Sequence, residues 1–174
     1  MLNIIHDFFA LLQNITEGIY IFGGKTAWNE VVNTLYFVQI MNEKVGFLCP
    51  DTLGEKPAPR FKHSMVYYSS LEIILIYGGR NDSVADGFTS NCFDDLHVLN
   101  INNMNWINVK TIGEVPKYPR YGHCTEIIDG KMYLFGGLGP SRFGEGGLRA
   151  LELSNLPFII SSELIEPLAD CRAS

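Results

Sequence analysis

"GKMYLFGG", residues 130–137, closes a short apolar run with two adjacent glycines, and the same ending recurs in "EGIYIFGG" (17–24) and "EIILIYGG" (72–79). A glycine inside a strand has an entropic cost and packs nothing. A pair held at one place therefore points to backbone that needs φ > 0 or to a neighbour in very close approach. The pairs begin at Gly23, Gly78 and Gly136, at intervals of 55 and 58 residues. Three such endings predict a repeated unit, and that period belongs to propeller blades rather than helical solenoids.

Upstream of two of the pairs the connectors match. "TLGEKPAPRFKH" (52–63) and "TIGEVPKYPRYGH" (111–123) both run Thr, an aliphatic residue, Gly, Glu, prolines, then Pro-Arg, two residues and His. Between His123 and Gly136 lie "CTEII" and "KMYLF", split by Asp129-Gly130, a strong signal for a type I′ hairpin turn. The earlier copy turns with "SSLE" (69–72). Downstream, "LHVLNINNMNWINV" (96–109) aligns on "LRALELSNLPFII" (148–160) without a gap, matching Leu96 with Leu148, Asn103 with Asn155 and Trp106 with Phe158. "LYFVQIMNEKVGF" (35–47) fits the same frame with a two-residue insertion that puts Phe47 in the aromatic place. Alternation and short bends predict strand, turn and strand. Each copy is thus expected to hold four strands, a to d in chain order, with "LPFII" as strand d of the third. Residues 1–16 read either as strand a or as a short helix, because "IIHDFFALLQ" also carries apolar residues at helical spacing.

The 174 residues suffice for one domain with a sizeable core. A net charge of −6 argues against a nucleic-acid or anionic-membrane binder, which would carry a basic face. The apolar start lacks a basic n-region and a small-residue cleavage site, and no run reaches the length of a membrane span, so a soluble, cytoplasmic chain is expected. Cys49, Cys92, Cys124 and Cys171 stand far apart, which argues against a disulfide framework and a zinc site.

The repeat resembles that of kelch-repeat proteins. The residues that carry the likeness are Gly23-Gly24, Gly78-Gly79 and Gly136-Gly137 after strand b, Tyr36 and His97 on strand c, and Trp106 in strand d, with Phe47 and Phe158 as substitutes. The Pro-Arg-x-x-His connectors are similar to those of kelch proteins of the Rab-effector and cell-polarity kinds. The resemblance spans about residues 3–160 and implies an all-β fold, a partial kelch-type β-propeller. It would hold about three four-stranded antiparallel blades near residues 3–49, 60–110 and 120–160, open rather than closed, followed by a tail at 161–174. It also implies protein–protein interaction without catalysis and without a cofactor. The glycines are then architectural, letting the chain leave the sheet near the crowded middle of the propeller, and His63, His123 and Trp106 are structural repeat residues.

Sharper readings of individual motifs are weaker. "FGGKTAW" (22–28) lacks the earlier glycine and following helix of a phosphate loop, and "GLGPSRFGEGG" (137–147) fits no nucleotide fingerprint. His6, His63 and His123 read as equivalent places in successive repeats, hence apart from one another and unsuited to a shared metal. His63-Ser64 and His123-Cys124 are strand neighbours that point to opposite faces, which excludes either pair as base and nucleophile. Asp82, Asp86, Asp94 and Asp95 read as a solvated loop, with a contact surface for a basic partner as the other reading.

In such blades the b–c and d–a loops emerge on one face, and here they are the long ones. Recognition usually lives on long loops over a rigid scaffold, so Arg80, Asn81, Asp82, Arg142, Phe143, Arg60 and Arg120 are candidates for binding a protein partner. Arg60 and Arg120 read equally as ties to loop carbonyls. The other functional reading is the regulatory or substrate-binding part of a larger kelch enzyme, such as a phosphatase or oxidase. Propellers commonly close with at least four blades, and neither end of the chain looks polar enough to cap an open array. Further blades, or self-association with a second copy, are therefore expected to complete the ring.

Overall fold

The computed structural model describes residues 5–6, 18–41, 44–84, 91–111, 119–140, 144 and 146–163. They form a mostly β molecule of antiparallel sheets, none closed on itself. In chain order the first part holds β1 (Ile5–His6), β2 (Gly18–Phe22), β3 (Lys25–Thr26), β4 (Leu35–Met41), β5 (Lys44–Leu48) and β6 (Leu53–Gly54). Then come β7 (Ser64–Tyr68), β8 (Ile73–Tyr77), β9 (Leu96–Asn100), β10 (Asn105–Val109), β11 (Cys124–Ile128), β12 (Lys131–Phe135), β13 (Leu148–Glu152) and the helix α1 (Leu156–Glu163).

Blade two is the complete one. Its strands a to d are β7, β8, β9 and β10, and β6 adds a fifth strand parallel to β10. That short piece comes from the connector "TLGEKP": the Leu53 and Glu55 N–H groups donate to the Met104 and Trp106 carbonyls at 2.9 and 3.2 Å. It covers the ladder groups that an edge strand would otherwise leave open. Gly54, at φ 75° with the Trp106 carbonyl against the place of a Cβ, is what permits so close a pass.

Both faces of blade two are covered. Met65, Ile74, Ile76, Leu99 and Trp106 pack against Phe22 and Leu35 of blade one. Val66, Ile73, Leu75, Tyr77, Leu96 and Val98 pack against Met132 and Leu134 of blade three. The two sets alternate along each strand, as the pleat requires, so this strand-rich sequence buries both faces of its central sheet.

Blades one and three are shorter. The sheet of blade one has three described strands, β2, β4 and β5, while β1 pairs with β3 in a small separate sheet. The register puts Phe47 opposite Val38, as Trp106 is opposite Leu99, so Phe47 does take the aromatic place. However, His6 pairs with Lys25, one residue past the double glycine, where blade two pairs Phe61 with Arg80. His6 therefore corresponds to Phe61 rather than to His63, and the equivalence of the three histidines is corrected. Residues 7–17, the strand-or-helix question, lie outside the described residues.

In blade three the expected strand d is a helix. Asn103 accepts the N–H of Asn105 at 3.2 Å to set the c–d turn of blade two, but the residue at that place in blade three is Pro157, which has no N–H to give. Asn155 instead sits as an N-cap ahead of Leu156, and Pro157 falls in the first helical turn, where it is tolerated. Leu156 and Ile160 are buried in the cluster around Val109, and Phe158, expected to stand in for Trp106, is 77% exposed. A cleft of about 370 Å³ remains between the end of β10, β13 and α1, lined by residues such as Val109, Leu151 and Leu156.

Candidate interaction surface and the junctions beneath it

The two long loop sets are woven into one face. Gly24 and Gly79 N–H groups donate to the Arg60 and Arg120 carbonyls, each at 2.8 Å, and the two arginine N–H groups return bonds to the Val32 and Phe93 carbonyls at 3.2 and 3.1 Å. Each connector is thus bonded to the b–c loop of the blade before it.

The glycines follow from this docking. A Cβ on Gly23 would lie 2.6 Å from the Arg60 carbonyl oxygen, and one on Gly78 would lie 2.7 Å from that of Arg120. The second glycine meets its own blade: a Cβ on Gly79 would come 2.8 Å from the Cβ of His63, and one on Gly137 would come 2.9 Å from that of His123. All lie at positive φ. The crowding comes from the next connector and the blade's own histidine rather than from the middle of a propeller.

Arg60 and Arg120 turn inward. The Arg60 side chain is fully buried, pairs both Nη atoms with the Asp95 carboxylate at 2.6 and 2.7 Å, and donates to the Gly78 and Ala58 carbonyls at 3.0 and 3.1 Å. It also stacks over Phe93 at 4.2 Å. Burial would raise the Asp95 pKa, but hydrogen bonds from Arg60 and His97 and their charges hold it well below the usual carboxylate range. His97 Nε2 lies 2.9 Å from the same carboxylate, which gives this strand-c residue a polar role. Arg120 is buried and donates to the Gly136 carbonyl at 3.1 Å. Gly147 stands where blade two has Asp95, so the sequence offers Arg120 no such carboxylate. These two side chains are engaged inside the fold and are not presented to a partner.

His63 and His123 are buried within the junctions. Burial, then the charge of Arg60 and then His123 lower the His63 pKa to about 3, against the main chain of Phe22. Burial and then Arg120 lower that of His123 to about 4. Both are neutral packing groups: His63 meets Phe22 edge-on at 5.7 Å and His123 meets Tyr77 at 5.3 Å. Ser64 Oγ and His123 Nε2, on neighbouring blades, are 2.9 Å apart. Both are buried, and among the described residues no carboxylate is bonded to His123 to orient it as a base. That pair closes a junction.

Above the junctions a row of cations lies on aromatics. Lys25 sits 4.3 Å over the Phe61 ring and Arg80 sits 4.4 Å over the Tyr121 ring, equivalent places one blade apart. Asp82 bridges the two, paired with Arg80 and 3.4 Å from Lys25 Nζ. Asn91 donates to it at 2.9 Å. Asn81 is buried and donates to the Pro59 carbonyl at 3.0 Å, so it fixes the loop. Of the four acidic residues, Asp82 and Asp95 are thus paired internally, Asp94 is exposed, and Asp86 lies outside the described residues, as do Arg142 and Phe143.

Trp28 was missed by the sequence reading. It is 72% exposed at the tip of the loop after Gly24. The turn beneath it is tied by Thr26 N–H to the Glu30 carbonyl at 2.8 Å, Asn29 N–H to the Thr26 carbonyl at 2.9 Å, and Glu30 N–H to Thr26 Oγ1 at 3.2 Å. A tryptophan within a polar loop, "KTAWNE", was the available signal. Among the described residues no group of three His, Cys, Asp or Glu could hold a metal, and no helix is long and apolar enough to cross a membrane.

An open array of twisted antiparallel blades, joined by connectors that lock each blade to the last, is a partial propeller of the interaction-repeat class. The chain belongs to the kelch-repeat family: residues 10–156 match the model of the KLHDC2/KLHL20/DRC7 Kelch-repeats domain. It is similar to acyl-CoA-binding domain-containing protein 5 of Arabidopsis thaliana, 30% identical over 162 residues, which cover 90% of this chain and 23% of that protein. It is also similar to host cell factor 2 of Homo sapiens, 32% identical over 133 residues, 71% of this chain and 16% of that protein. Kelch domain-containing protein 1 of Homo sapiens is 28% identical over 142 residues, 71% of this chain and 34% of that protein. The chain thus spans about a third or less of the length of these relatives. The kelch family in general supports a protein-interaction module.

Proposed function

We propose that the chain is a non-enzymatic scaffold or adaptor that grips a protein partner with its long-loop face, in the cytoplasm. The observation that carries this reading is Trp28, a large apolar side chain held out on a hydrogen-bonded turn above a rigid sheet. Tryptophan and arginine are enriched among the few residues that supply most interface energy. Lys25, Arg80 and Asp82 give the same face a polar border, and Asn81 holds their loop in place. Arg142 and Phe143 belong to the corresponding loop of blade three by sequence. Arg60 and Arg120 shape the face from below.

The second reading, a regulatory or substrate-binding part of a larger enzyme, draws support from the company the repeat keeps. A Rho GTPase-activating protein of Dictyostelium discoideum matches 75% of this chain over 8% of its own length. A transcript continuing into a phosphatase or oxidase domain would favour that reading.

Affinity capture with mass spectrometry, run in parallel on the chain and on Trp28→Ala, tests the surface. A partner enriched by the chain and depleted about tenfold or more by the substitution supports it. An unchanged set of captured proteins contradicts it, provided the variant unfolds within about 0.5 kcal/mol of the parent, as an exposed substitution should.

A further inference from the structure

Arg60 and Arg120 stand at equivalent places, but only one of them has a counter-charge. Arg60 is fully buried and holds the Asp95 carboxylate with both Nη atoms, at 2.6 and 2.7 Å. Arg120 is 2% exposed and donates through Nη1 to the Gly136 carbonyl at 3.1 Å, as Arg60 does to that of Gly78 at 3.0 Å. The Tyr77 hydroxyl also lies against Arg120; burial, above all, raises the pKa of that hydroxyl, so it brings no charge. Among the described residues no carboxylate pairs with Arg120, and its buried Nε has no hydrogen-bond partner. Asp94 is exposed, and Asp95 is taken by Arg60 and His97. A charge held out of water is costly unless it is paired.

Two registers fix what stands where Asp95 would. Leu138 bridges Gly144 as Arg80 bridges Cys92, and Phe135 pairs with Leu148 as Tyr77 pairs with Leu96. Both bring the two loops into step at the same offset, so Gly147 takes the place of Asp95 with no insertion between. Gly146 and Gly147 are exposed, and among the described residues a Cβ on either would meet nothing within 4 Å. Blade three thus keeps the buried guanidinium, drops the carboxylate, and leaves open room at the residue that carried it.

We propose that Arg120 is the floor of an anion site that binds a small free carboxylate, in the place that the Asp95 side chain fills in blade two. A guanidinium fork matches a carboxylate with two parallel hydrogen bonds. The Arg60–Asp95 pair shows the chain building that geometry on the equivalent backbone. An opening at two glycines admits an anion the size of formate or acetate, and the depth of Arg120 keeps bulkier ones away. Binding supplies the missing charge at the junction of blades two and three and so stabilises the fold. The site shares no residue with the Trp28 surface, so either proposal can fail alone.

The test is an NMR titration of the full chain, with sodium chloride replaced stepwise by sodium acetate at constant ionic strength and neutral pH. The expected result is a saturable shift of the Arg120 Nε–H resonance, half complete at about 10 mM, while that of Arg60, whose fork is full, stays fixed. Acetate at about ten times that level should raise the melting temperature by about 3 °C, and Arg120→Met should abolish the rise. Asp95→Ala empties the first fork and should make Arg60 respond as Arg120 does. An Arg120 Nε–H that stays still, or drifts in step with Arg60, would overturn the site. So would a response that appears only in Glu145→Gln, since the chain would then supply its own carboxylate. N-acetylaspartate N-methylamide stands in for a protein side chain, and a response to it about tenfold tighter than to acetate would overturn the choice of a free acid.

Discussion

Blade two and blade three share a hairpin, a double glycine and a Pro-Arg-x-x-His connector, yet one is sealed on both faces and the other on one. The residues that touch differ less than what lies opposite them. Gly78 is pressed by Arg120, and Gly136 by nothing; Arg60 has Asp95, and Arg120 has a glycine at that place. A repeat motif therefore specifies half of a junction, and the following repeat supplies the other half. Near-identical residues in the two blades should accordingly respond differently to the same change.

The largest expected contrast is at the arginines. Arg60→Met strands the Asp95 carboxylate, 29% exposed, and should cost about 3 kcal/mol in urea unfolding, as removal of one partner from a buried pair does. Arg120→Met leaves behind a carbonyl and the Tyr77 neighbourhood and should cost about half as much. Equal losses would break the comparison.

The glycines come next. Gly78→Ala and Gly136→Ala both place a side chain at positive φ, 63° and 70°, a penalty of about 1 kcal/mol each. Only Gly78→Ala also drives a methyl to 2.7 Å from a carbonyl oxygen, adding about 1–3 kcal/mol of overpacking.

How much of this was legible follows from the kind of interaction. The blades could be read because strand period, a Asp129-Gly130 turn and paired glycines are local signals. Trp106 and the register of Phe47 followed from alignment of the repeats on one another. The helix α1 was misread because alignment carried the strand forward, although Pro157 removes the N–H on which the turn at Asn105 depends. His6 was misplaced because one histidine was matched without the pairing that fixes its register. The Arg60–Asp95–His97 cluster joins residues 35 and 37 positions apart and leaves no local trace. Trp28 is visible as a tryptophan in a polar loop, but its exposure depends on the fold around the loop and leaves no local signal.

The histidines give a pH dependence with a defined sign. His63 and His123 have folded pKa values of about 3 and 4 against about 6.5 unfolded. Below pH 6.5 the unfolded chain therefore binds more protons, so stability is full above that pH and falls as pH drops toward 4, by about 2 kcal/mol per histidine at pH 5. Asp95, held low, adds a further loss as pH falls below its unfolded value of about 3.8. His123→Gln should remove roughly half of the loss seen between pH 6.5 and 5. A flat profile there would contradict neutral burial.

The smallest contrast is between Ser64 and Cys124. Ser64→Ala removes the bond to His123 and should cost about 1 kcal/mol. Cys124→Ala, at the equivalent exposed place, should stay within about 0.5 kcal/mol of the parent.

The most direct test of connector-locked blades is amide hydrogen exchange at the second glycine of each pair in the chain alone. Gly24 and Gly79 donate to the next connector at 2.8 Å, and Gly137 has no such acceptor among the described residues. Slow exchange at Gly24 and Gly79, with Gly137 exchanging at close to the rate of an open loop, is the predicted result. Equal protection at Gly79 and Gly137 would contradict the account.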